Sequence, residues 1–422
     1  MLVVGVELRI LFLLPDFPFP ASTGGKLKVF NILKYMSLTH RCDILCFGKV
    51  DETQATSFHL ELPNVNILEV IPPPTALKKR LFGVLNLLRL LPPSFAAFFS
   101  YQYLNTLRRI LADHTYDVIH YDIINMAQYV TCGERFASVH SPNDATSLVY
   151  FDVAKDLRWS IKKVYSLISA VFLQRFEKKN YHLFNKIHVV SLQDANYLLR
   201  LDSDIDAVVI PISTGQIGAR VGHNNSVLSQ AAPKKLKIIC TGSFENHAIA
   251  DPIYDFVSVV WPRVKGLVPE AELVILGKNI PTHMMLLFRS TPNLEILTWV
   301  DDYSAFLATA DVVLVPDRVG PNGAKTRTLE AMSLDLPVLG TQTAFSGMPF
   351  IDQQHGFLYT TLDECTEAMV TLLRDSAMRD RLAAGGHQLA VENFSLDIIG
   401  PKYEQLYRDA IIKFNTRNFI EK

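Results

Sequence analysis

The sequence predicts an α/β protein of two Rossmann-like domains, each a doubly wound parallel sheet, that face each other across a cleft. Three observations lead to this fold class. The chain has 422 residues, more than one compact α/β unit usually holds. Short apolar runs alternate with amphipathic segments, as βα crossovers require. The runs form two successive sets, separated by the polar segment 220–235, which is rich in Asn and Ser.

The first set of runs predicts six strands. Several of the runs are nearly continuous in Val, Ile and Leu, which is typical of strands covered on both faces. The runs are 9–15, 41–48, 65–71, 116–122, 135–141 and 186–191. The N-terminal stretch 1–22 resembles a signal peptide, but Glu7 and Arg9 interrupt its apolar run and no basic region precedes it. We therefore predict a buried strand over residues 9–14.

The second set predicts five strands, followed by helices that run to the end of the chain. The runs are 236–242, 271–277, 294–300, 311–317 and 336–341. The change in composition places the domain boundary near 205–235. We predict a first domain over 1–205 and a second over 206–398. A final helix, 399–422, crosses back to the first domain.

Composition excludes several classes of protein. Hydrophobic residues make up 49% and charged residues 20% of the chain, so it can bury a sizeable core. The formal net charge of −1 argues against a nucleic-acid partner, because phosphate binding needs a basic excess. No uninterrupted apolar run reaches about 18 residues, so no membrane-spanning helix is predicted. The five cysteines form no close pair, which favours small buried side chains in a reducing, cytoplasmic compartment.

The segment 311–341 carries the clearest chemistry. A buried strand ends near Pro316, a loop with Gly320, Pro321, Asn322 and Gly323 follows, and a helix runs from about Lys325 to Leu334. A helix that opens after such a loop offers free N–H groups to a phosphate. Lys325 and Arg327 add positive charge there, and Glu330 can accept hydrogen bonds from a ribose diol. The alternative is a surface helix with an Arg327–Glu330 ion pair, and the pattern leaves both open.

Within this segment, LEAMSLDLPVLGT (329–341) resembles the EAMAxGxPVVxT signature of family 4 of the retaining GT-B glycosyltransferases, which includes bacterial exopolysaccharide enzymes. GAKTRTLE (323–330) resembles the GxRxKxxE stretch that precedes this signature. The resemblance implies that Glu330 binds the donor ribose. It places Arg327 and Lys325 at the donor diphosphate, beside Gly323.

The chain departs from the family at Asn322, where many members carry a Glu that contacts the donor sugar. An amide can still bond sugar hydroxyls but carries no charge. The stretch 241–277 resembles the start of the family's second domain and adds Gly242 and Ser243 to the donor site. Many members grip the diphosphate with an Arg and a Lys in this stretch, where this chain has Phe244 and Ile249. His247 is then the nearest other candidate.

Two further matches lie in the first domain. The Gly24–Gly25 turn after the first strand resembles the family's glycine turn, which lets the backbone approach a donor pyrophosphate. His140, at the end of a strand, matches a His that lies near the transferred sugar in the family. Asn143 and Asp144 follow in a loop toward the same cleft. The alternative for His140 is a structural role at the strand end.

The resemblance implies a retaining, metal-independent transfer of a sugar from a nucleotide-diphosphate donor to a glycan or lipid-linked acceptor in cell-surface polysaccharide synthesis. It needs no cofactor, since the nucleotide sugar is a substrate, and the adjacent Asp301 and Asp302 are interpreted as structural. Two alternatives stay open. One is a GT-B protein that binds a nucleotide sugar without turnover, and the other is a GT-B sugar epimerase.

Two segments combine apolar and basic residues and suggest an anionic membrane surface as a further partner, on the inner face of the cell membrane. The segment 78–91 is Leu-, Phe- and Val-rich, with Lys78, Lys79, Arg80 and Arg89 toward its ends. The segment 157–179 shows the same mixture. The alternative for both is an ordinary core helix.

Overall fold

A computed structural model describes residues 6–21, 23–214, 235–320 and 322–420. The chain divides into two compact units: Met1–Gly215 together with Leu396–Lys422, and Gln216–Ser395. Most of the predicted linker, residues 220–234, and the loop residue Pro321 lie outside the described residues. The last helix groups with the first unit, and the predicted domain bounds stay a prediction.

The first unit holds a seven-stranded sheet in which every described strand pair is parallel. Its strands are β1 (Arg9–Leu14), β2 (Arg41–Phe47), β3 (Val65–Ile71), β4 (Val118–Asp122), β5 (Ala137–Asn143), β6 (Lys186–Val189) and β7 (Ala207–Val209). They lie in the order β3-β2-β1-β4-β5-β6-β7. All six predicted strands are present. The seventh, β7, has only three half-buried residues, too few to form a visible apolar run.

The second unit holds a six-stranded parallel sheet in the order β10-β9-β8-β11-β12-β13. Its strands are β8 (Leu236–Ser243), β9 (Ala271–Lys278), β10 (Leu294–Leu297), β11 (Val312–Val315), β12 (Val338–Gly340) and β13 (Phe357–Leu358). Two doubly wound parallel sheets confirm the predicted fold class. The sequence missed β13, which has two residues and forms an edge.

Helices cover the faces of each sheet. In the first unit they are α1 (Gly24–Met36), α2 (Glu52–Glu61), α3 (Ala76–Leu88), α4 (Tyr101–Asp113), α5 (Ile123–Met126), α6 (Thr146–Asp156), α7 (Ile161–Asn180), α8 (Leu192–Leu201) and α16 (Leu396–Ile420). In the second unit they are α9 (His247–Asp255), α10 (Trp261–Leu267), α11 (Thr282–Ser290), α12 (Tyr303–Leu307), α13 (Thr326–Ser333), α14 (Leu362–Arg374) and α15 (Ser376–Phe394). The π-helical turn Phe256–Val260 joins α9 to α10.

Side-chain caps explain where many of these helices begin. Thr23, Thr75 and Ser160 each accept a hydrogen bond from a first-turn N–H of the helix that follows. At α14, Thr361 and Glu364 form a reciprocal capping box. Such caps satisfy N–H groups that the helix itself leaves unpaired, which fixes the starting residue.

The long helix α16 packs on the first sheet through buried polar contacts as well as apolar ones. The Tyr407 hydroxyl lies 3.0 Å from His120 Nδ1, and the Tyr403 hydroxyl lies 3.3 Å from His188 Nε2. Both histidines are fully buried. These matched pairs place α16 in one register, because a buried polar group without a partner is costly.

The two segments that combine apolar and basic residues differ in their burial. No residue of α3 is buried, so the core-helix alternative is wrong for segment 78–91. Helix α7 buries one face and exposes the other. Among the described residues, no helix is both long enough and apolar enough to cross a bilayer.

Candidate functional site

The carboxyl edge of the second sheet collects most of the predicted donor-binding residues. β8 ends at Gly242 and Ser243, and its parallel neighbour β11 ends at Val315, after which a loop leads into α13. The strand order reverses between β8 and β11, because β8 continues to β9 and β11 continues to β12. Such a reversal leaves a crevice at the carboxyl ends, where doubly wound sheets bind ligands.

Arg327, in the first turn of α13, is held by the protein itself. Its Nη2 donates to both carboxylate oxygens of Asp317, at 2.7 and 2.6 Å, and its Nη1 donates to the carbonyl oxygen of Thr241. Asp317 is 4% exposed, so the ion pair is largely removed from water. The surface-helix alternative predicted an ion pair between Arg327 and Glu330, but Arg327 pairs with Asp317 instead.

Gly242 is required because two side chains approach it closely. A Cβ at this position would lie 2.4 Å from Cγ2 of Ile249 and 3.3 Å from Nη1 of Arg327. Phe244, which is buried, fills the equivalent space at Gly277. Apolar packing thus occupies the two positions where the resemblance leads one to expect a basic pair. The nearest guanidinium at this edge belongs to Arg327.

Glu330 lies one turn further along α13 and is half-buried. Burial raises the pKa of its carboxyl to about 7, against the opposing effects of the Arg327 charge and of a hydrogen bond with Tyr303. The Tyr303 hydroxyl also lies 3.2 Å from Oγ1 of Thr241. A carboxyl that ionises near neutrality can accept two hydroxyl hydrogen bonds once it is charged.

The N-terminus of α13 has no side-chain cap from its own N-cap residue. That residue is Lys325, whose ammonium donates to the carbonyl oxygen of Gly323 at 3.5 Å. Ser346 Oγ donates to the carbonyl oxygen of Gly323 at 3.2 Å, which holds the preceding loop in place. Asn322 is half-buried beside Gly323. First-turn N–H groups and the Lys325 ammonium can therefore face a phosphate together.

Gly24 and Gly25 differ from the predicted turn. Helix α1 already begins at Gly24, with Thr23 as its N-cap, so both glycines lie in the first helical turn. A Cβ at Gly25 would meet no atom within 4 Å. Gly25 therefore leaves open space at the helix N-terminus, and the predicted place of both glycines at the donor pyrophosphate stays a prediction.

His140 lies inside β5 rather than at its end, because the strand continues three residues to Asn143. Its ring is fully buried, stacks on Phe184 at 4.8 Å between centroids, and meets Tyr181 edge-on. Nδ1 lies 3.0 Å from the carbonyl oxygen of Tyr121, and Nε2 has no hydrogen-bond partner among the described residues. The ring therefore contacts the core of the first unit, and its role near the transferred sugar stays a prediction.

Burial lowers the pKa of His140 to about 3, so the ring is neutral in the folded protein. Below about pH 6.5 His140 is protonated in the unfolded chain but not in the native protein. The contribution of His140 to the free energy of unfolding therefore decreases by about 1.4 kcal/mol for each unit by which the pH is lowered, down to about pH 3. We expect His140→Phe to lose this slope. Urea unfolding at about pH 6.5 and 4.5 measures it. The exposed His59→Phe variant is the control, and equal slopes in wild type and His140→Phe would contradict the assignment.

Several site residues escaped prediction. Asp317 and Tyr303 complete the surroundings of Arg327 and Glu330. In the first unit, buried Lys28 of α1 donates to Asp122 Oδ1 and Asn143 Oδ1, both at 2.5 Å. Of these three, only Asn143 was named from the sequence, and it ends β5 rather than lying in a loop. The signals were present, since Asp317 and Asp122 each end a buried run. Their partners are distant in sequence, so spacing could not reveal the pairs.

The adjacent carboxylates after β10 have a structural role in part. Asp302 Oδ1 accepts from the Ala305 N–H at 2.9 Å and begins α12. Across the described ranges, no three His, Cys, Asp or Glu side chains lie grouped as a metal site requires. Metal independence stays a prediction.

Comparison with known proteins finds a family match within the second unit. Residues 235–375 match the sequence model of the family described as glycosyl transferases group 1. This match spans most of the second unit and includes the α13 site. No curated protein sequence matches the chain.

Solved structures resemble nearly the whole chain at low sequence identity. The sucrose-phosphate synthase of Thermosynechococcus elongatus is 17% identical over 95% of this chain and 98% of its own, with a TM-score of 0.67. HepE of Anabaena, solved with UDP-glucose, is 14% identical over 95% and 99%, with a TM-score of 0.59. TarM is 8% identical over 96% and 100%, with a TM-score of 0.66. The likeness confirms the GT-B fold, and with the family match it supports a glycosyltransferase of GT-B type.

Proposed function

We propose that the chain transfers a sugar from a nucleotide-diphosphate donor to a glycan or lipid-linked acceptor, with retention and without a metal. The observation that carries the proposal is the α13 site: Lys325 at an N-cap without a side-chain cap, Arg327 held by Asp317, and a half-buried Glu330 one turn later. These groups suit three parts of a nucleotide-diphosphate sugar, namely its two phosphates and its ribose.

In this proposal the diphosphate lies at the α13 N-terminus and the ribose at Glu330. Lys325, Arg327 and the first-turn N–H groups stabilise the charge that develops on the leaving diphosphate. The glycines at 242 and 323 let the backbone approach it, together with Ser243. The resemblance implies the same role for Gly24 and Gly25. Asn322 bonds the donor sugar. His140 lies near the transferred sugar in this proposal, as the resemblance implies.

The proposed setting is bacterial cell-surface polysaccharide synthesis, in the cytoplasm or on the inner face of the cell membrane. This setting rests on the resemblance of 323–341 to enzymes of that kind. A UDP-sugar is the first donor to test, since HepE is solved with UDP-glucose.

The test is a thermal-shift screen against nucleotide sugars, followed by a measurement of nucleoside-diphosphate release. A donor at a hundred times its dissociation constant stabilises the fold by about 2.7 kcal/mol. We expect one donor to shift the melting temperature and to be slowly hydrolysed when no acceptor is present. No shift with any donor would contradict the proposal.

A non-catalytic binder is the second candidate, favoured by Asn322 and by apolar Phe244 and Ile249 at the expected basic positions. It predicts a thermal shift without release of nucleoside diphosphate. Asn322→Glu then tests whether the missing carboxylate is the cause, because turnover gained by this variant alone would favour the binder. A sugar epimerase instead converts the nucleotide sugar itself, which chromatography of the incubated donor detects.

A further inference from the structure

Helix α3 turns an apolar stripe toward solvent. Leu77, Leu81, Val84 and Leu88 follow the spacing of one helix face and are 77%, 58%, 58% and 77% exposed. The opposite face holds the helix on the fold: Phe82 meets the ring of Phe99 at 5.0 Å. A contiguous apolar face exposed to solvent indicates a surface that a membrane or another molecule covers.

Cations border this stripe on both sides. By helical spacing, Lys78 and Arg89 lie along one edge and Arg80 along the other. In the part of the chain that the structure describes, no ion pair involves these three residues. The sequence contains no Asp or Glu between Glu69 and Asp113, so this region is basic although the whole chain is nearly neutral.

Helix α7, in the same unit, repeats the pattern. Trp159, just before the helix, is 82% exposed, and Ile161 is 90% exposed. Exposed apolar residues continue along one face, and a basic groove lies at the far end of that face. The exposed residues are Val164, Tyr165, Ile168 and Val171, and the groove is lined by Val171, Gln174, Arg175, Lys178, Arg200 and Leu201. No Asp or Glu occurs between Asp156 and Glu177.

We propose that the exposed faces of α3 and α7 together dock the first unit on an anionic lipid bilayer, without spanning it. Apolar stripes bordered by cations and free of carboxylates fit a surface whose interior is apolar and whose headgroups are negative. The proposal goes beyond donor chemistry, and it rests on the proposed function only where the acceptor is lipid-linked.

The first test is co-sedimentation of the full chain with anionic and with neutral vesicles. We expect salt-sensitive binding to anionic vesicles only. A charge variant with Lys78, Lys79, Arg80 and Arg89 changed to Gln should bind about tenfold or more weakly. The control variant carries the same charge loss on exposed cations elsewhere: Arg263, Arg289, Arg381 and Lys402 changed to Gln. It should bind as the wild type does.

The apolar stripe is tested separately with Leu81, Val84 and Leu88 changed to Gln, which keeps every cation. Its vesicle binding should also fall about tenfold or more, because burial of these side chains is lost. Unchanged binding would show adsorption by charge alone and overturn the docking role of α3. A wild type that forms stable dimers without vesicles, and that the stripe variant keeps monomeric, would identify a second copy as the occupant instead.

Trp159 reports on α7. The chain has three tryptophans; Trp261 is buried, and Trp299 lies in the second unit. In a Trp299→Phe background, emission from Trp159 should shift to the blue and be quenched by brominated anionic lipid. Binding without any change in Trp159 emission would exclude α7 from the docking surface. Donor affinity measured in the same variants should stay unchanged, so a failure of docking and a failure of the transferase proposal are distinguishable.

Discussion

We expect Glu330→Ala to weaken binding of the nucleotide-sugar donor about a hundredfold to ten-thousandfold. Two hydrogen bonds from a ribose diol to a charged carboxylate contribute about 1.5–3 kcal/mol each, and each 1.4 kcal/mol is a tenfold change in affinity. Titration calorimetry with the donor found in the thermal-shift screen measures the loss. Exposed Glu367→Ala on α14 is the matched control and should leave the affinity unchanged.

The raised pKa of Glu330 gives this prediction a pH signature. Only the charged carboxylate accepts both hydroxyl protons, so donor affinity should rise as the pH passes through about 7. Glu330→Gln should remove that rise. The stability of the fold depends on pH in the opposite direction. Between pH 4.5, the ordinary pKa of a Glu carboxyl, and about pH 7, the native carboxyl keeps a proton that the unfolded chain has lost. The free energy of unfolding therefore falls as the pH rises through this range.

Glu330→Gln should consequently be at least as stable as the wild type at about pH 8, where the native carboxylate is charged and half-buried. This makes the Gln variant a folding control for the Ala variant. If folded Glu330→Ala keeps its donor affinity, the ribose binds elsewhere. If the wild-type affinity shows no dependence on pH, the carboxylate does not contact the donor.

We expect Arg327→Ala to destabilise the second unit by about 3 kcal/mol and to weaken nucleoside-diphosphate binding strongly. The variant leaves Asp317, whose side chain is 6% exposed, as a buried charge without its partner. Lys325→Ala removes a half-buried ammonium at the N-cap, so it should change stability by about 0.5 kcal/mol or less. Its effect on diphosphate binding should be smaller than that of Arg327→Ala, because a guanidinium can grip phosphate at two points.

The double variant Arg327→Ala, Asp317→Ala separates the two roles of Arg327. It removes both charges, so stability should recover relative to Arg327→Ala. If diphosphate binding stays weak in this stable double variant, Arg327 contacts the ligand. If binding recovers along with stability, Arg327 is structural and the phosphate charge is met by Lys325 or His247. Urea unfolding and calorimetry on the wild type, Arg327→Ala, Lys325→Ala and the double variant decide between these outcomes.

The sequence predicted the long strands and missed the short ones. Runs such as 9–15 and 236–242 became β1 and β8, because parallel strands covered on both faces need continuous apolar sequence. β7 and β13, with three and two residues, left no such trace. The tail was recognised as helical. Its register on the first sheet came from Tyr403 and Tyr407 meeting histidines more than 200 residues away.

The sequence predicted which residues lie on the site helix, but not which residues they contact. The helix after β11, and the positions of Lys325, Arg327 and Glu330 on it, follow from local spacing. The partners of these residues do not, since Asp317 and Tyr303 reach α13 from separate segments. The site residues given by the resemblance, including His140 and Asn322, remain predictions.

What the sequence determined by itself was therefore what short-range periodicity encodes: two sets of parallel strands, the helix α13 after β11, and the basic, apolar character of segment 78–91. The tertiary structure alone decided which side chains meet and which face meets water. It paired Arg327 with Asp317, buried His140 against Phe184, and left α3 without a buried residue. An amphipathic pattern is the same for a core helix and a surface helix, because periodicity records which residues share a face but not what that face contacts.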